Sequence, residues 1–260
     1  MTRILLNEHP TWALLPKKKG KTIVLLHGGL SSSESLLRVL GRPLSKGFKL
    51  AAFDRRGHGR TADTSAPFSY ESMADETIAF IELLKRRVYL LGHSDGANVA
   101  LLVALRRPDL LKRIVLVGGN YHHEGLVKME DFTPESPGFP EFAQKYAKHS
   151  PDGVGHAAVV VQKFLKLIKE QPTLRVHDLK SVTVPVLILV GDDDAATLKH
   201  TTSMYEAIPE AQLAVLPGAS HSVLKEKTKI CLLLIEDFLL GPIPPKTQSP
   251  LRRATSLVKE

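Results

Sequence analysis

Six short runs rich in Val, Ile, Leu and Phe, at 22–26, 49–53, 88–91, 114–117, 184–190 and 212–216, alternate with longer segments of helical spacing at 71–85, 95–106, 197–207 and 222–239. Near-continuous apolar runs of that length predict strands buried on both faces. Buried strands separated by helices predict parallel neighbours, because right-handed crossovers lay the helices over the sheet. The expected fold class is α/β, a mostly parallel, doubly wound sheet flanked by helices.

The rhythm breaks once. Residues 121–183 separate the fourth strand from the fifth, more chain than one crossover helix needs. They hold a Pro, Gly and Phe stretch around Phe132 to Phe142, then helical patterns near 141–149 and 155–169 that end before Pro172. This stretch reads as a small helical insertion and a candidate lid. Residues 1–240 are expected to form a single domain, with its core in 1–120 and 184–240. Residues 241–260, with four prolines and no apolar period, read as a disordered tail.

Composition narrows the classes. An apolar share of 43% and a charged share of 24% exclude a wholly disordered or collagen-like chain of 260 residues. The lone cysteine, Cys231, has no internal disulfide partner and lies in an apolar helical run, so packing is its expected role. No secretory h-region opens the chain and no run reaches the length of a membrane span, so the expected compartment is the cytoplasm, with no membrane partner. The net charge of +8 raises nucleic acid as a partner, but three units fall in 241–260, aromatic content is 6%, and no recognition module is present. The charge is read as surface character, and no nucleic acid is expected.

Between the third strand and the helix after it stands Gly92-His93-Ser94-Asp95-Gly96, a G-x-S-x-G pattern in the strand-to-helix setting of a nucleophile elbow. The glycines have a physical reason: a sharp turn that strains the serine leaves no room for neighbouring side chains. A capping serine in a glycine-rich turn is the bland alternative. A serine hydroxyl needs an imidazole to take its proton and a carboxylate to orient that imidazole. Gly191-Asp192-Asp193-Asp194 follows the fifth strand and Ser220-His221 follows the sixth, so the chain order Ser, Asp, His is that of the α/β hydrolases.

With Leu26-His27-Gly28-Gly29, Asp54-Arg55-Arg56-Gly57-His58-Gly59-Arg60 and Val184 to Gly191 added, residues 20–240 resemble the α/β-hydrolase superfamily, specifically its small lid-bearing serine hydrolase branch. The resemblance implies Ser94 as nucleophile, His221 as base and Asp194 as acid, with Asp192 or Asp193 as substitutes if the register slips. Other members carry the acid after the preceding strand, where this chain reads Gly118-Gly119-Asn120. The resemblance also implies oxyanion donors on the backbone of Asp95 and of Gly29, with Leu30 as a close alternative. Asp95 departs from the ordinary pattern, since a carboxylate there opposes a developing oxyanion unless it turns away or meets a cation.

Eleven histidines invite false assignments. His27, His58 and His93 read as braces of local turns. His122 is a candidate for substrate contact, as are Phe132, Phe139 and Phe142, although such aromatics more commonly pack an insertion onto its domain. Three consecutive aspartates diverge too much to hold a hard cation, so no metal is expected, and the chemistry needs no cofactor. The expected activity is cleavage of a small-molecule carboxylic ester, lactone or thioester through an acyl-enzyme. Carbon–carbon bond hydrolysis or perhydrolysis by the same residues is an alternative, and a non-catalytic binding protein on the same scaffold is the alternative from another class.

Overall fold

The computed structural model describes residues 2–128, 130–243 and 245–249. Eight strands form one sheet: β1 (Thr2–Leu6), β2 (His9–Leu14), β3 (Thr22–Leu26), β4 (Lys49–Phe53), β5 (Val88–His93), β6 (Leu111–Val117), β7 (Val186–Asp193) and β8 (Ala211–Ser220). Their spatial order is β1-β2-β4-β3-β5-β6-β7-β8. From β4 to β8 every neighbouring pair is parallel, as expected, whereas β1 pairs antiparallel with β2, and β2 with β4.

The helices are α1 (Ser33–Leu36), α2 (Arg42–Leu44), α3 (Tyr70–Leu83), α4 (Asp95–Arg106), α5 (Phe139–Ala147), α6 (Ala157–Glu170), α7 (Leu198–Ala207), α8 (Val223–Glu226) and α9 (Thr228–Leu240). A π-helical turn, Leu37–Gly41, joins α1 to α2. Between β6 and β7, α5 and α6 stand near the two expected helical stretches. The proposed tail falls in part on residues 244 and 250–260, outside the described residues.

Strand alternation divides the core in two. Val24, Leu26, Leu90, Ile114, Leu116, Val186, Ile188 and Val190 point to one face of the sheet, where they pack with α3 and α4. Ile23, Leu25, Leu91, Val115, Val117, Leu187 and Leu189 point to the other, where they meet α9 through Cys231, Ile235 and Phe238. Both faces are therefore buried, which is why these strands read as continuous apolar runs instead of alternating ones. Cys231 is fully buried in the second cluster, and burial pushes its thiol up to about 11.

The N-terminal hairpin is not among the expected strands. Its turn places Asn7 at φ 48 and Glu8 at φ 64, the two positive values of a two-residue hairpin loop. β1 is largely exposed at the sheet edge, and its Ile4-Leu5-Leu6 run is only three residues long. The expected run at 184–190 begins instead at Val186, and the carbonyl of Pro185 accepts from Ile114 N–H. β5, β7 and β8 each run past their expected ends by two to four residues, and those extra residues deliver the site.

Candidate active site

The elbow is built as its glycines require. Ser94 sits at φ 55 and ψ −124, a strained conformation for a non-glycine residue, at the junction of β5 and α4. A Cβ added to Gly92 would lie 2.0 Å from the carbonyl oxygen of Gly96, and one added to Gly96 would lie 2.2 Å from that of Leu26. Backbone stands on both sides, so no side-chain motion relieves either contact. Ser94 N–H donates to the Val117 carbonyl at 2.8 Å, tying the turn to the neighbouring strand.

The register of β7 and β8 brings the other two side chains together. A shift between Gly191 and Asp193 pairs Asp193 with Ser220, so the next residues, Asp194 and His221, emerge side by side. Gly191 permits this approach, since a Cβ there would meet the Ala219 carbonyl oxygen at 2.0 Å. His221 Nδ1 lies 2.6 Å from Asp194 Oδ1, and His221 Nε2 lies 2.9 Å from Ser94 Oγ. The tautomer in which Nδ1–H donates to Asp194 leaves Nε2 to accept the Ser94 hydroxyl.

Burial opposes the charge of Asp194, but the hydrogen bond and charge of His221, with N–H groups from Ala195 and Gly191, outweigh it and hold this carboxyl below its ordinary value. Asp192 instead accepts from Ala219 N–H at 3.1 Å on the exposed rim. Asp193 is exposed as well, so of the three aspartates only Asp194 meets the histidine. At Gly118, φ +60, a Cβ would stand 3.0 Å from His221 Nδ1, so glycine there keeps the pair uncrowded. His93 reaches far beyond a local turn: its Nε2 lies 3.0 Å from the His221 carbonyl, bracing the loop that carries the imidazole.

The His27-Gly28-Gly29 loop runs over the serine, and a Cβ on Gly28 would lie 3.2 Å from Ser94 Cβ. Leu30 has φ 50. Among the described residues, no protein acceptor takes the backbone N–H of Gly29, Leu30 or Asp95. Arg55, fully buried, donates to the carbonyls of His27 at 2.6 Å and Gly28 at 3.2 Å and so fixes this loop from behind. His27 Nε2 accepts Arg55 N–H, and His58 lies 3.0 Å from the Arg56 carbonyl, so both serve as loop braces.

Asp95 meets a cation but does not turn away from the His27-Gly28-Gly29 loop, since a Cβ on Gly29 would lie 2.6 Å from its Oδ2. Its Oδ1 accepts the Tyr70 hydroxyl at 2.8 Å, and the charge of Arg55 stands near it. Burial pushes its carboxyl above the ordinary value, with Arg55 and Tyr70 pulling the other way. Neither Arg55 nor Tyr70 stood out in the sequence as a partner for Asp95; the arginine-rich loop was its only trace.

A cavity of about 160 Å³ opens at Ser94 and His221. It shares Ser31, Ser35, Val39 and Lys225 with a larger one of about 640 Å³. Of the four expected substrate contacts, Phe142 lines the larger cavity and the other three line neither. His122 Nδ1 instead accepts Glu124 N–H, and Phe132 and Phe139 pack against Phe142, the first edge-on and the second tilted. Phe164 of α6 covers the His27-Gly28-Gly29 loop, where a Cβ on Gly29 would meet its ring at 2.2 Å. Among the described residues, no group of three or more His, Cys, Asp or Glu is placed to hold a metal ion, and no helix is long and apolar enough to cross a membrane.

A strained serine between a central strand and its following helix, in a mostly parallel eight-stranded sheet, defines the class as an α/β-hydrolase fold. The sequence profile of the alpha/beta hydrolase family matches residues 23–228, and the chain belongs to that family. It is 25% identical over 229 residues to "Putative carbamate hydrolase RutD" of Agrobacterium fabrum, covering 77% of this chain and 86% of that one. It is 26% identical over 256 residues to 2-(acetamidomethylene)succinate hydrolase of Mesorhizobium japonicum, covering 86% and 89%. Among solved structures, the fold resembles a serine hydrolase involved in carbazole degradation, CarC, with TM-score 0.74, 20% identity and coverage of 92% and 97%. These relatives are named as hydrolases, and this chain is a hydrolase of the same family.

Proposed function

We propose that the chain is a serine hydrolase of carboxylic esters, or of the related lactones and thioesters. The observation that carries this reading is the unbroken relay from Ser94 Oγ through His221 to Asp194, at 2.9 and 2.6 Å. His221 Nε2 takes the hydroxyl proton as Ser94 Oγ attacks the carbonyl carbon, and Asp194 stabilises the imidazolium that forms. Backbone N–H groups of Asp95 and of Gly29 or Leu30 receive the oxyanion. His221 returns the proton to the leaving oxygen, or to sulfur in a thioester; it then removes one from the water that attacks the acyl carbon and passes it to Ser94 Oγ as the acid departs. These steps call on no cofactor. In this reading residues 121–183 act as a lid, with Phe164 over Gly29 and with Phe142, Tyr146 and Val160 roofing the larger cavity.

The test is hydrolysis of 4-nitrophenyl acetate, butyrate and hexanoate by the wild type and Ser94→Ala, with fluorophosphonate labelling of both. Loss of the nucleophile is expected to lower turnover on the order of 10⁶ and to abolish labelling. Undiminished turnover in Ser94→Ala overturns the reading.

A further inference from the structure

We infer that the substrate carries an anionic group remote from the scissile bond, held at the cavity mouth by Lys148 and Lys225; this rests on the ester hydrolase reading above. The larger cavity has an apolar body, formed by Leu30, Val39, Phe142, Tyr146 and Val160. Its charged wall residues are Arg38, Lys145, Lys148 and Lys225 against Glu34 alone, four cations to one carboxylate, with His149 beside them. Glu34 is already answered, at 2.6 Å by Arg60 and at 3.2 Å by Arg38. Lys145 is bonded to Glu141 at 2.6 Å. That leaves Lys148 and Lys225, neither of which has a carboxylate within ion-pair distance among the described residues.

Arg106, Arg107 and Arg175 are matched by carboxylates, but surface cations such as Lys17 and Lys85 also stand without an ion pair among the described residues, so the weight lies in where Lys148 and Lys225 sit. At the mouth the excess is uncompensated, and it faces a cavity that shares walls with the one at Ser94. Lys225 lines both cavities and is close enough to act electrostatically on His93, beside the serine.

A low-dielectric wall with one sign of charge at its rim concentrates ligands of the opposite sign. Lysines act as point charges without the planar fork of arginine, so the site selects an anion and leaves carboxylate and phosphate to be distinguished by length and charge. The apolar walls fit the chain between that anion and the ester.

The experiment compares 4-nitrophenyl hexanoate with two esters that end in an anion, 4-nitrophenyl hydrogen adipate and 4-nitrophenyl 5-phosphonopentanoate. The expected result is a kcat/KM ratio of at least about 10 in favour of one anionic ester at low salt, falling as ionic strength rises. That ratio is expected to drop at least fivefold in Lys148→Met/Lys225→Met and to persist in Lys148→Arg/Lys225→Arg. Which anionic ester leads assigns carboxylate or phosphonate. A wild-type ratio of one or less, or a ratio unmoved in the double Met variant, overturns the inference. Fluorophosphonate labelling reports separately on Ser94. If the wild type takes no label, the hydrolase reading fails, and calorimetric binding of adipate, lost in the double Met variant, still supports the anion site. Absence of adipate binding then overturns it.

Discussion

Replacing Asp194 by Asn tests the relay at its most specific point. The two side chains have the same shape, so packing is unchanged and only donor and acceptor roles differ. Asp194 Oδ1 accepts from both His221 Nδ1 and Ala195 N–H, at 2.6 and 2.7 Å, while Oδ2 faces Gly191 N–H at 3.3 Å. With its oxygen at the Oδ1 position the asparagine still accepts from Ala195 N–H and His221 Nδ1–H but sets its NH₂ group against Gly191 N–H; turned over, the NH₂ group confronts both Ala195 N–H and the imidazole. In the second orientation His221 has to accept at Nδ1 and carry its proton on Nε2, which presents N–H to Ser94 where a lone pair is needed. In both orientations the imidazolium loses its counter-charge. Replacing the acid of a Ser-His-Asp relay by its amide costs about 10⁴ in kcat, or about 5.5 kcal/mol at 1.36 kcal/mol per decade. The assay is 4-nitrophenyl butyrate turnover, with circular dichroism and thermal melting to show that the fold is retained. Asp192→Asn keeps the oxygen that accepts from Ala219, and Asp193→Asn changes an exposed group, so each is expected to stay within about threefold of wild type. A folded Asp194→Asn enzyme retaining a tenth of its turnover, or a larger loss at Asp192 or Asp193, would refute the assignment.

Two further outcomes concern stability. Gly92→Ala drives a methyl group into the backbone of Gly96, and a cost of about 3 kcal/mol or more is expected by urea unfolding; an unchanged midpoint would show that the turn tolerates a side chain. Burial lowers His58 to about 3, and lowers His200, also acted on by His122, to about 4. Because both folded values lie below the unfolded 6.5, the unfolded chain takes up protons first as pH falls. Stability is therefore complete above 6.5 and lost towards 4 and below, by about 2 kcal/mol per histidine at pH 5 relative to pH 7. Urea midpoints at the two pH values check this; equal midpoints contradict it, and His200→Gln is expected to shrink the difference by about half.

The central sheet was legible because its strands are buried on both faces and carry continuous apolar runs, as at 22–26 and 186–190. The hairpin β1–β2 was not, since its apolar runs, Ile4 to Leu6 and Trp12 to Leu14, are only three residues each and its turn depends on the positive φ of Asn7 and Glu8, which composition signals poorly. Ser94, Asp194 and His221 stand at strand ends, where motif and chain order locate them. The surroundings of Asp95 depend on Tyr70 and Arg55, which lie 25 and 40 residues away and become neighbours only through packing. Phe132 and Phe139 show the same limit from the other side, because aromatic identity marks a cluster without telling which ring faces the cavity.

The pairing of Asp193 with Ser220 has a consequence for how the enzyme can change. The distance between acid and base is gauged by the hydrogen-bonded ladder of β7 and β8 at the edge of the sheet, whereas the walls of the larger cavity come mainly from α5, the start of α6, the loop at 57–59 and the chain around α1, with Lys225 from α8. Most of that wall therefore stands apart from the ladder. Segment 139–160, which contributes nothing to the smaller cavity at Ser94, is expected to tolerate exchange without disturbing His221, while a single residue inserted into β8 would turn His221 away from both of its partners.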